Sequence, residues 1–90
     1  MDCRIEVVRK EAQPIVRLAG RLAEEHTAVF LEAYAGAGPS AVLDLTDLIS
    51  ADAVGLDALS RVQAQGARLV GLPEYMRLKL DVLARERRGR

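Results

Sequence analysis

VLDLTDLISADAVGLDALSRVQAQGARLVGL, residues 42–72, decides the fold. It opens on Val42-Leu43-Asp44-Leu45, a run apolar enough for a central strand covered on at least one face. After a short polar loop, Gly55, Leu59 and Val62 fall in one row with Leu56 and Ser60 beside it, which predicts an amphipathic helix from about Ala53 to Gln65. Gly66 ends that helix, as glycine past a C-terminus does, and Arg68–Leu72 reads as the next strand. Strand, helix and strand in this order predict a right-handed parallel crossover. The junction between strand and helix is chemically bare. Many phosphate sites are built at such a helix start, yet Ala53-Val54-Gly55 offers no hydroxyl, thiol or base.

Working outward, Cys3–Val8 and Ile15–Ala19 alternate as strands do, and the polar stretch Arg9-Lys10-Glu11-Ala12-Gln13-Pro14 between them suits a hairpin turn. Gly20 closes the second strand. Glu24–Tyr34 has helical spacing, with Val29 and Ala33, and Phe30 and Tyr34, each at i, i+4; Gly36 and Gly38-Pro39 stop it. Downstream, Pro73 is placed as the first residue of a third helix whose face carries Met76, Leu80 and Leu83. The expected fold is α/β: a small mixed sheet of four strands, ordered β-β-α-β-α-β-α, with helices packed on it. Strands two, three and four should be parallel and adjacent, with strand one antiparallel at an edge. Residues 1–84 form a single domain and 85–90 a basic C-terminal tail.

Ninety residues, half of them apolar, make one small core that folds without disulfide or metal. Aromatics are few (Phe30, Tyr34, Tyr75), which argues against stacking platforms for single-stranded nucleic acid. The 13 basic and 13 acidic side chains cancel, leaving no field to draw in nucleic acid or anionic lipid. Cys3 is the single cysteine and His26 the single histidine, so no familiar zinc spacing can be assembled. With no apolar span of about 18 residues or more, no membrane insertion is expected, and a cytoplasmic location follows from that and from the cysteine usage. Neither glycine-rich nucleotide-binding pattern occurs, and no cofactor is implied.

The stretch 42–72 resembles the central motif of STAS domains, the fold of bacterial anti-sigma factor antagonists. Members typically carry an LDL strand, a loop with Asp-Ser-Ser-Gly-Leu, a helix, and a Gly-x-x-Leu-x-Leu strand before a third helix. Asp52, Gly55 and Leu56 match the loop motif, and Gly66 with Arg68-Leu69-Val70 matches the next strand. Val16–Leu22 is similar to the second strand and the Gly-x-Leu after it. The regulatory serine of the family follows the loop aspartate, and Ala53 stands there, with Val54 next. The chain is also expected to be truncated relative to members that add a further strand and helix.

This resemblance implies a non-catalytic protein-interaction module, not an enzyme. It would bind a regulatory kinase, anti-sigma factor or signalling complex through Ser50, Asp52, Ala53, Val54, Gly55 and Leu56. Alternatively, it would be an accessory cytoplasmic subunit of an ATP-driven lipid transporter, docking on the transporter ATPase. Alanine accepts no phosphoryl group, so no phosphorylation is expected at Ala53, and Ser50 is a weak candidate. Asp52 reads as a helix cap in preference to a catalytic base, while Gly55 serves either tight packing or partner approach. Thr46 and Ser50 suit local hydrogen bonding, and Asp44 and Asp47 read as solvated carboxylates. His26 is expected at the surface and Cys3 as a small core hydrophobe. The stripe Leu72, Met76, Leu80 and Leu83 is a core face or, if uncovered, a homodimer surface.

Overall fold

The computed structural model describes residues 3–10 and 13–88. The chain runs β1 (Cys3–Lys10), β2 (Gln13–Leu22), α1 (Glu24–Ala37), β3 (Val42–Ala51), α2 (Ala53–Ala64), β4 (Arg68–Val70) and α3 (Glu74–Arg88). The strands form one sheet in the order β1-β2-β3-β4, with β1 antiparallel to β2 and the pairs β2·β3 and β3·β4 parallel. The expected architecture is therefore the observed one. Lys10 pairs with Gln13 where β1 gives way to β2, and residues 11 and 12, within the stretch expected to turn, lie outside the described residues.

Because β2, β3 and β4 advance in one direction across the sheet, right-handed crossovers put their connecting helices on the same face. Burial follows from that. Val16, Leu18 and Leu22 of β2 and Leu43 and Leu45 of β3 point under the helices and are fully buried, where they meet Phe30, Leu59, Val62, Met76 and Leu80. On the opposite face Ile15, Arg17, Ala19, Val42 and Asp44 are only half-buried.

β3 is where the structure departs most from the expected boundaries. The strand does not give way to a loop after Leu45; it continues to Ala51 beside β2. Two register shifts each insert an extra β3 residue, between the pairs Arg17↔Asp44 and Ala19↔Asp47 and again between Gly20↔Leu48 and Arg21↔Ser50. Each bulge flips the side-chain alternation. The core-facing residues are consequently Leu43, Leu45, Leu48 and Ala51, spaced two, three and three. Ser50, expected in a loop, is thus a half-buried strand residue paired with Arg21.

The other corrections are small. β4 ends at Val70, because Gly71 takes φ +73° and passes so close to Thr46 that a Cβ would overlap its hydroxyl. Pro73 precedes α3, its carbonyl accepting the Arg77 amide at 3.0 Å. α3 runs on to Arg88, so residues 85–88 are helical where a basic tail was expected; 89 and 90 lie outside the described residues. Arg87 explains the continuation. Its guanidinium donates to the buried Ser60 Oγ at 3.0 Å and to Asp57 Oδ1 at 2.9 Å, tying the end of α3 to α2. Met76 and Leu80 are buried in the core, which removes the centre of the stripe considered for a homodimer.

Candidate functional site

The three helices each follow a parallel strand, so all three begin at the carboxyl edge of the sheet, where open α/β folds place their functional surfaces. Asp52 organises this edge. It sits in extended conformation (φ −80°, ψ −177°) as the N-cap of α2, and its Oδ1 accepts the Gly55 amide at 2.7 Å. Its Oδ2 accepts the Glu24 amide at 2.9 Å, in the first turn of α1. α1 needs that help, since its own N-cap is Ala23, with no side-chain acceptor. A second local partner is His26, whose Nδ1 accepts the Ala23 amide at 3.2 Å. One carboxylate therefore satisfies orphan amides of two helices.

The backbone is drawn in as well. The Asp52 amide donates to the Leu22 carbonyl at 3.1 Å, closing the end of β2 against the start of α2. Gly55 is buried where α2 crosses Leu22: a Cβ there would overlap the Leu22 carbonyl oxygen and lie 3.1 Å from Leu22 Cγ. Of the two roles left open for Gly55, packing or partner approach, the close contact with Leu22 is one of tight packing. At the next corner the Tyr75 hydroxyl donates to the Ile49 carbonyl, anchoring the first turn of α3 to the end of β3.

Hydrogen bonding from the Gly55 amide, and then from that of Glu24, holds the Asp52 carboxyl below its ordinary range. Asp44 is lowered likewise, first by the Thr46 hydroxyl at 2.6 Å and the Thr46 amide at 3.1 Å, with Arg17 adding a smaller pull. Thr46 makes the local bonds expected of it. Burial raises the half-buried Cys3 thiol, which packs against the core. An ionised Asp52 with both oxygens occupied is a structural acceptor; neither Ser50 nor His26 is hydrogen-bonded to it.

The residues singled out from the sequence do not all face outward. Asp52, Ala53 and Val54 are exposed, and Ser50 is half-buried. Gly55 and Leu56 are buried, so they shape the corner from beneath. The outer surface also includes Ile49, 65 % exposed, which sequence reasoning placed in an unremarkable loop. Leu22, Glu24 and Tyr75 were missed too, since each acts through a partner remote in sequence. Among the described residues no cluster of three or more His, Cys, Asp or Glu is placed to hold a metal, and no helix is long and apolar enough to cross a membrane.

No protein-family model matches the chain, and no curated protein does. Solved structures do. The anti-sigma factor antagonist STAS domain from Rhodobacter sphaeroides is similar at TM-score 0.54 and 23 % identity, covering 78 % of this chain and 85 % of that one. A protein of the DUF3478 family with a SpoIIAA-like fold, from Shewanella loihica PV-4, is similar at TM-score 0.50 and 20 % identity, covering 90 % and 76 %. The structure described as Mglu reaches TM-score 0.57 and 24 % identity over 71 % of this chain. There the matched part spans 18 % of that chain. The fold is that of a STAS, or SpoIIAA-like, domain.

Proposed function

We propose that this chain, whose fold is STAS-like, is a non-catalytic protein-interaction module resembling an anti-sigma factor antagonist. It docks a regulatory kinase, anti-sigma factor or signalling complex through the corner formed by Ser50, Asp52, Ala53 and Val54, with Ile49 at its side. The observation that carries this reading is the fixation of that corner. Asp52 binds the first turns of both α1 and α2, so the exposed methyl of Ala53 and isopropyl of Val54 stand on a backbone already immobilised before a partner arrives. A surface ordered in advance loses less entropy on binding.

The same position sets the mode of control. In a member carrying serine there, a phosphate would bring nearly two negative charges and three acceptors to the docking surface. Ala53 offers only a methyl group, so binding here is constitutive with respect to that modification. The module acts in the cytoplasm, where kinases and anti-sigma factors are found.

The test is affinity capture from the native cell with the wild-type protein, Val54→Arg and Gln63→Arg. Both substitutions fall on exposed positions of α2. The expected result is a partner retained by wild type and Gln63→Arg and lost with Val54→Arg; an unchanged partner set for Val54→Arg would remove the corner from the interface. A transporter ATPase as that partner would turn the reading to the accessory-subunit role.

A further inference from the structure

β1 lies at the edge of the sheet and pairs with β2 along Cys3–Lys10 without a register shift. Its outer side carries a row of backbone donors and acceptors, and neither bulge nor proline, two of the devices by which sheets blunt an edge, interrupts it. On the face away from the helices the charges alternate from strand to strand. Glu6 stands directly opposite Arg17, and Arg17 directly opposite Asp44. The guanidinium lies 3.8 Å from Glu6 and 3.5 Å from Asp44. This row of minus, plus and minus stops at the sheet edge on Glu6, whose side chain is 54 % exposed.

We propose that a second copy of this chain completes that edge, β1 against β1 in antiparallel pairing, with the two-fold axis at Ile5. Centred there, Arg4 of the second copy stands opposite Glu6, and the alternation continues across the junction: Asp44, Arg17, Glu6, then Arg4 of the second copy. The same register sets Ile5 against Ile5 and Cys3 against the exposed Val7, on the face of β1 where Cys3 and Ile5 pack against the core. Neighbouring registers fail. An axis at Arg4 opposes two guanidinium groups, one at Glu6 opposes two carboxylates, and one at Val7 sets Ile5 against Arg9. Like charges directly opposite are unfavourable and opposite charges favourable. A single pair of edge strands buries less than the roughly 1,000 Å² of a tight interface, so the dimer is weak and forms with rising concentration.

Val7→Cys reads the register directly. Within one chain positions 3 and 7 are about 13 Å apart along a strand, too far for a disulfide. Facing residues of an antiparallel pair have Cα atoms about 4.5–5.5 Å apart, within disulfide reach. Under mild oxidation Val7→Cys is expected to run as a covalent dimer on a non-reducing gel. Wild type and Cys3→Ser/Val7→Cys, oxidised in parallel, are expected to remain uncrosslinked. Light scattering of the wild type should show a mass rising toward twice the monomer with concentration, and Arg4→Glu should abolish the rise. Monomer mass throughout, failure of Val7→Cys to cross-link, or cross-linking that persists without Cys3 would each overturn the proposal.

Discussion

Asp52 and Glu24, 28 residues apart, are joined by a 2.9 Å hydrogen bond from the Glu24 amide to the carboxylate that also caps α2. Both amides favour the ionised form, so the carboxyl is held lower in the folded protein than in the unfolded chain. In the window between those two values the unfolded chain binds the proton and the folded one does not, so stability rises with pH there and falls as pH drops through the lowered value. Asp44 acts in the same direction. Urea unfolding at a series of acidic pH values should show this decline, and Asp52→Asn should flatten it in part, leaving the share that belongs to Asp44. An unflattened profile would mean that the two amide bonds do not govern the titration.

Gly55→Ala tests the contact with Leu22. Alanine is favoured over glycine inside a helix by about 1 kcal/mol, yet here its methyl must displace the Leu22 carbonyl, which is backbone. Overpacking of that kind costs about 1–3 kcal/mol, and a net destabilisation is expected in chemical denaturation. A variant more stable than wild type would show that α2 can back away from β2.

Leu80→Ala and Leu78→Ala separate the two faces of α3. Leu80 is 1 % exposed in the core and Leu78 is 58 % exposed. The first substitution should cost about 2–5 kcal/mol, and the second should stay within about 0.5 kcal/mol of wild type. Similar losses at both positions would indicate that α3 presents a different face to the sheet.

Ala53→Glu distinguishes shape from binding at the candidate docking corner. An acidic side chain in the first turn of a helix is favourable by about 0.3–1 kcal/mol, and the position is exposed, so thermal stability should hold or rise. Partner capture should fall, because the charge enters the proposed interface. Capture at wild-type strength would separate Ala53 from that interface.

The fold was largely legible because its signals are local. Period-two alternation marked Cys3–Val8 and Ile15–Ala19, and rows at i, i+4 marked α1 and α2. Three strands joined through helices then implied parallel pairing. β3 was cut short at Leu45 for a definite reason. Its two bulges space the inward residues Leu45, Leu48 and Ala51 three apart, a rhythm matching neither strand nor helix. At the corner, Asp52 announced itself as a cap of α2 by standing just before a helical run. Its second bond to Glu24, and that of Tyr75 to the Ile49 carbonyl, leave no trace in local pattern, since only the assembled sheet brings those residues together.

That dual attachment also orders events in time. The β1–β2 hairpin joins near neighbours in the chain, whereas the Asp52–Glu24 bond spans 28 residues and is expected to form after β2 and β3 have aligned through both bulges. Loop closure over such a separation comes late on the folding path. Stopped-flow measurements on Asp52→Ala should therefore find refolding close to the wild-type rate and unfolding accelerated, the carboxylate serving as a latch fastened after the barrier is crossed.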